Sequence, residues 1–232
     1  MDYLVKTYKD KCKKEFSGLG FKTYRRNFWR VVNDIFQSFE LQKSVSGRGC
    51  TIHFVVVPMC AGECIKKEYC GPNHIKIFEY DYSWFDYDRN DENSMDNCVD
   101  EMISYMKKYL MPYFRLSENV KQAYFATCEF QQKNYRKGIF MADPYLYYMA
   151  LKAGLYDRAL EHLIAQREHT ENAYKTNMKN SSMYDLEYVK RIEKKIEEIN
   201  YKIKMLSESN LQYFQDFINE NERKARLNLG IK

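Results

Sequence analysis

Val5, Tyr8, Cys12, Phe16 and Leu19 recur at steps of three and four, while Lys6, Lys9, Lys13 and Lys14 fall on the other side, so the spacing predicts an amphipathic opening helix. Asp2 is placed to cap its start, and Gly18 or Gly20 to end it. The period then drops to two. "FWRVV" and "IFQSFELQ" read as strands joined at Asn33-Asp34, two residues that tolerate the left-handed backbone of a tight hairpin turn. In the second strand Ile35, Gln37, Phe39 and Leu41 share one face, and Ser38, Glu40 and Gln42 the other. "SVSGRG" makes a flexible connection into "CTIHFVVVP", where Cys50, Ile52, Phe54 and Val56 are expected to face the core. "HIKIFEY" predicts one more strand of an antiparallel meander, because Ile75 and Ile77 alternate with Lys76.

After "DYSWFDYDRNDENSMD" the helical period returns for the rest of the chain. Val99, Met102, Met106 and Leu110 mark a helix closed by Pro112, and Ser117 is placed to cap a helix through "ENVKQAYFATCEF". Asp143-Pro144 predicts a further helix start and Gly154 its stop. "LYYMALKAGLYDRALEHL" resembles one tetratricopeptide-type hairpin at Leu146, Gly154, Tyr156, Ala159 and Leu163, but departs from it at Tyr147 and Gln166. A single copy cannot build a solenoid, so it reads as an ordinary helix pair in a bundle. Leu186, Val189, Ile192, Ile196, Ile199, Ile203 and Leu206 keep near-heptad spacing, a packing seam, and Leu211, Phe214 and Ile218 open a last helix. The expected fold is α+β: an N-terminal helix on an antiparallel β-meander sheet, followed by an α-helical C-terminal region. The expected organisation is an α+β domain at 1–116 and a helical region at 117–232, packed on or beside it.

The stretch "FKTYRRNFWRVVNDIFQSFELQKSVSGRGCTIHFVVV" combines a "GFK" entry, an aromatic-basic strand, a "Q.F.LQKS" strand and a "TI.F" strand. With Trp84-Phe85 and "YLMPYF" further on, residues 1–116 resemble the bacterial family catalogued as domain of unknown function 4304. The resemblance implies the same α+β fold. That family has no established activity, so no catalytic residue is carried over. The cysteine-rich loop departs from its pattern, falling where the family passes more directly between strands.

Composition narrows the class. Apolar residues make up 45% of the 232, with nine Gly and four Pro, which is the balance of an ordered, helix-rich globular chain. Charges interrupt every apolar run of "MDYLVKTYKDKCKKEF", so it lacks a secretory signal's h-region, and no window approaches a membrane span. The expectation is a cytoplasmic protein with no membrane partner. Seven cysteines, an odd and scattered set, suit reduced thiols better than a disulfide framework. The net charge of +5 is unevenly placed: residues 1–58 carry eleven Lys and Arg against five Asp and Glu, and residues 59–118 seven against twelve.

Three stretches carry candidate chemistry. "CAGECIKKEYCGPNH" offers Cys60, Cys64, Cys70 and His74, the number and type of ligands that zinc takes, but the Cys64-to-Cys70 spacing is wider than a usual zinc knuckle. The expected cofactor is therefore none, with zinc as the alternative. Asp86-x-Asp88-x-Asn90 begins like a calcium loop and fails it at Asp91 and Asn97, where Gly and Glu are needed. The same segment alternates acids with aromatics, and Asp81, Trp84, Phe85, Asp86 and Asp88 read as a surface for a protein partner, although a core role is the better reading of the aromatics, at least for Trp84. "KTYRRNFWR" interleaves Lys22, Arg25, Arg26 and Arg30 with Tyr24, Phe28 and Trp29, the mixture that contacts phosphates and stacks on bases. No phosphate loop, G-x-S-x-G or H-E-x-x-H is present, and His53, His162 and His169 fall where an imidazole is commonly satisfied or solvated. The sequence thus favours a non-enzymatic protein-binding module with no catalytic residue assigned. The alternative is a nucleic-acid-binding protein using the basic strand at 22–30, with a zinc-stabilised loop at 60–74.

Overall fold

Leu4, Tyr8, Cys12 and Phe16 form the buried stripe of helix α1 (Tyr3–Phe16), and the Asp2 carboxylate accepts a hydrogen bond from Val5 N at its start. The computed structural model describes residues 2–69, 71, 73–79, 83–134, 143–179 and 186–231. After a 3-10 turn and a left-handed Gly20, strands β1 (Lys22–Tyr24), β2 (Asn27–Val32), β3 (Ile35–Lys43) and β4 (Gly49–Pro58) follow as an antiparallel meander. Two short strands, β5 (Asn73–His74) and β6 (Phe85–Asp86), share the remaining edge of β4, His74 opposite His53 and Phe85 opposite Cys50.

The β2–β3 turn places Asn33 at φ 46° and Asp34 at φ 65°, as the sequence predicts. Asp34 also accepts from Arg226 at 2.7 Å, so its substitution has two effects. Both Asp34→Gly and Asp34→Ala remove the carboxylate's ion pairs, but glycine relieves the left-handed strain that an L-residue carries at φ 65°, whereas alanine keeps it, a difference of roughly 1 kcal/mol. Urea unfolding of the two variants is expected to separate them by about that amount; equal midpoints would contradict the turn geometry.

Pleating sorts the sheet residues cleanly. Phe28, Phe39 and Phe54 lie in register across β2, β3 and β4. They face the core with Ile35, Leu41, Cys50, Ile52 and Val56. On this side pack α1, then α2 (Glu92–Tyr105), α3 (Met111–Leu116), α4 (Val120–Asn134) and α5 (Pro144–Lys152). The long helices α6 (Tyr156–Lys179) and α7 (Leu186–Ser207) pair with each other beyond α5. One continuous core takes in Phe39 of the sheet, Val99 of α2, Leu146 of α5 and Phe214 of the last helix, α8 (Leu211–Leu229). The opposite sheet face presents Trp29, Phe36, Val55 and Val57, and α8 covers it with Ala225 and Leu229 beside Ile65. The return of α8 is pinned by Arg226 on Asp34 and by Lys152, which holds both Glu222 and Asp34. Among the described residues no helix is long and apolar enough to cross a membrane.

Three local expectations are corrected. "HIKIFEY" is not a strand: after His74 the chain coils into a 3-10 turn (Ile75–Glu79), with Ile75, Lys76 and Ile77 all buried. Three successive buried residues cannot alternate across a half-exposed sheet edge, and Lys76 is drawn in because its amine bonds Ser83 Oγ at 3.0 Å and lies 4.3 Å from the Phe85 ring centre. Pro112 does not close its helix. A π-turn (Met106–Leu110) precedes it, Pro112 takes the first turn of α3, and the widened turn accommodates the imide that cannot donate. Ser117 does not cap α4; its hydroxyl donates back to Tyr113 O at 2.8 Å, and Asn119 Oδ1 accepts from Lys121 N and Gln122 N instead.

Candidate partner-binding cleft

The β3–β4 turn is closed by Ser44 N donating to Gly49 O and Gly47 N to Ser44 O, with Gly47 at φ 69°. The ladder continues across it: Gly49 pairs with Asp86, Cys50 with Phe85, and Tyr87 N donates to Arg48 O at 3.1 Å. Gly49 is required here by close approach, since a Cβ would stand 3.0 Å from Trp84 Cβ. Beyond Tyr87 the chain turns through hydrogen bonds of its own. Asn90 N donates to Asp88 Oδ1, Asp88 N to Ser94 Oγ, and Asn93 N to Asp91 Oδ1, which caps α2.

Between these two turns lies an open cleft of about 820 Å³. Its charged rim consists of Arg48 and Arg89 with Asp86 and Asp88, all exposed, and Val45 projects fully into solvent at the neighbouring turn. None of these four charged groups is in an ion pair among the described residues. The cleft is thus a solvated site of mixed sign, and no cation among the described residues pairs with its carboxylates.

The acidic-aromatic strip is split by the pleat. Asp86 and Asp88 face out, whereas Phe85 is 1% exposed and Tyr87 forms the buried floor. Phe85 therefore packs in the core, against Lys76 and Tyr105, and presents no surface to a partner. Trp84 is half-buried, edge-on to His74 with ring centres 5.8 Å apart. Asp81 lies outside the described residues. Burial pushes the Tyr87 phenol up, and its hydroxyl has no hydrogen-bond partner among the described residues.

The basic stretch is divided along its length instead, since both faces of β2 are covered and Asn27 to Arg30 are all buried. Arg30 is 8% exposed and turned inward: Nε donates to Gln37 Oε1 at 2.9 Å, Nη1 to Leu19 O at 2.8 Å and Nη2 to Glu118 Oε1 at 2.7 Å. Gln37 in turn donates to Phe114 O at 2.6 Å. Burial lowers the Arg30 guanidinium, and Glu118 acts against it. Lys22, Arg25 and Arg26 remain outside, at the β1–β2 hairpin, where Arg26 pairs with Glu40 at 3.4 Å. Lys22 lies 5.1 Å from the Trp29 ring centre and Arg25 5.4 Å from that of Tyr24. Phe28 and Trp29 are buried, so neither ring is open for a base to stack on.

The cysteine loop forms a 3-10 turn (Met59–Cys64) beneath α8, with Gly62 at φ 71° where a Cβ would meet Asn221 Oδ1 at 3.0 Å. Cys60 is buried and donates to Tyr148 O at 3.5 Å; burial raises its thiol to about 12. Cys64 is exposed, donates to Ala61 O at 3.3 Å, and is also raised by burial of its sulfur. His74 lies across from His53 with Nδ1 3.4 Å from Thr51 Oγ1, and Cys70 lies outside the described residues. Zinc takes thiolates, whereas Cys60 and Cys64 sit where protonated thiols are favoured. Among the described residues no three His, Cys, Asp or Glu side chains converge in a metal-holding group.

Arg48 and Arg89 are the rim residues that sequence reasoning missed. Arg48 sits in the "SVSGRG" segment, which reads as a bare connection, and only the β4–β6 pairing brings it beside Asp86. His162 resolves as a packed imidazole, its Nε2 3.1 Å from Tyr124 Oη between α6 and α4. Compared with family models, with curated proteins and with solved structures, the chain matches none of them.

Proposed function

We propose that this chain is a non-enzymatic protein-binding module whose partner docks at the cleft beside Asp86 and Asp88. The observation that carries this reading is the exposed, unpaired charge of Asp86, Asp88, Arg48 and Arg89 around one open cleft. The excess of carboxylates in residues 59–118 supports a partner segment rich in Lys and Arg. The likeness of residues 1–116 to domain of unknown function 4304 belongs to the same proposal, supported by the order of helix and meander in residues 3–58. It adds no chemistry, since fold does not carry function.

The test is affinity capture at low salt with the wild type, an Asp86→Lys/Asp88→Lys variant and a Lys22→Glu/Arg25→Glu/Arg26→Glu variant, each with and without nuclease. A retained protein that survives nuclease, persists with the hairpin variant and falls at least tenfold with the cleft variant is the expected result. Retention lost with the hairpin variant and with nuclease would replace this reading by nucleic-acid binding.

A further inference from the structure

The sulfur atoms of Cys50 and Cys98 lie 3.3 Å apart in the core, though 48 residues separate them in sequence. Cys50 belongs to β4 and Cys98 to α2, and the Met102 sulfur is 3.7 Å from Cys50 Sγ. A disulfide is about 2.05 Å long, so side-chain rotation and a small approach of helix to sheet would join the pair. No other cysteine sulfur is a hydrogen-bond neighbour of either among the described residues.

We propose that Cys50 and Cys98 are a redox pair that closes into an intramolecular disulfide on two-electron oxidation by a peroxide. The chemistry balances without a further reactant. The Cys98 thiolate attacks one oxygen of hydrogen peroxide and the O–O bond breaks. The departing hydroxide leaves as water on taking the proton Cys98 released, and Cys98 becomes a sulfenic acid. Cys50 then displaces hydroxide from that sulfur, and its thiol proton completes the second water. Two thiols and one peroxide thus give one disulfide and two waters. Cys98 suits the first step: it is the less deeply placed of the two, and the hydrogen bond with Cys50 lowers its thiol against the effect of burial.

The bond would act on the cleft. Cys50 lies opposite Phe85, next to Asp86, and Cys98 is one turn along α2 from Ser94, so closure ties the strand wall to the helix wall. The redox proposal itself does not rest on the partner-binding reading.

The experiment treats the whole folded chain with a small excess of hydrogen peroxide, quenches with acid, alkylates free thiols under denaturing conditions and maps peptides without reduction. The expected result is a linked Cys50–Cys98 peptide pair and two fewer alkylated thiols than the seven of the reduced chain. The oxidised protein should also melt higher by roughly 5–10 °C, reversibly with dithiothreitol. Full alkylation of both residues after oxidation, a sulfinic acid on Cys98 without a link, or a bond from either residue to another cysteine would each overturn the proposal. The mapping uses wild-type protein, so it does not depend on a variant folding. Cys98→Ala should abolish the link if it folds.

Discussion

Replacing Arg30 with alanine is expected to destabilise the protein by about 2–3 kcal/mol, because it removes a buried guanidinium and leaves the acceptors behind it without their donor, while the partly exposed Glu118 is resolvated. Gln37 Oε1 and Leu19 O each lose a charge-assisted donor, and Glu118 loses its cation. The network also seals the join between the sheet and the C-terminal end of α3, since Gln37 donates to Phe114 O and Ser117 O. Arg30→Lys should recover only part of the loss, for one ammonium cannot reproduce a planar fork aimed at three acceptors. The measurement is the urea midpoint at unchanged slope. Arg25→Ala, at an exposed position of the same basic stretch, is expected to stay within about 0.5 kcal/mol of wild type. Equal effects at the two positions would mean that Arg30 is solvated and that the stretch is one continuous cationic face.

Phe39→Ala is expected to cost about 3–5 kcal/mol and to lower the melting temperature by roughly 10 °C. The ring of Phe39 is fully buried at the middle of the sheet. It stacks on Phe28 at 5.1 Å and meets Phe21 at 5.1 Å, Phe16 at 5.9 Å and Phe114 at 6.5 Å. These rings come from α1, the entry to β1, β2 and α3, so the cavity would open where several elements converge, and few of them can move inward without unpacking another. Phe125→Ala is the matched control: that ring is 55% exposed on α4 and is expected to change stability by no more than about 0.5 kcal/mol. A Phe39→Ala variant as stable as the Phe125→Ala variant would contradict the placement of the core.

The elements with an uninterrupted period were legible from their residues. The Asn33-Asp34 turn, the inward set on β4, the Asp143-Pro144 start and the start of α8 all form where the spacing places them, and α1 buries the expected Tyr8, Cys12 and Phe16, with Leu4 in the place expected of Val5 and Leu19 beyond the helix end. The misreadings fall where a side chain's environment overrides its type. Lys76 is polar and buried, so "HIKIFEY" alternates in letters but not in space. Pro112 stops a helix only if the preceding turn cannot widen, and a π-turn is invisible in a hydrophobic period. The candidate surfaces were half legible for the same reason. The acidic strip alternates, so Phe85 went inward while Asp86 and Asp88 stayed outside; in the basic stretch both faces of β2 are covered, so Arg30 went inward with its neighbours while Lys22 and Arg25 stayed outside at the hairpin. Nothing in the local sequence told a buried arginine from a solvated one, because the difference lies in Gln37, Leu19 O and Glu118, up to 88 residues away.

By itself the sequence determined the succession of helix, meander and helices, and the residues of each strand that share a face, because periodicity and turn chemistry act over a few neighbouring residues. Which face was buried, and by what, was decided by tertiary structure. The last helix returns to cover Trp29, Phe36, Val55 and Val57, so both sides of the sheet become interior. The same long-range pairing sets Arg48 beside Asp86 and brings Cys50 to Cys98. Such meetings depend on how apolar faces from distant segments fill a shared volume, and that free energy belongs to the assembled core and to no single stretch of chain.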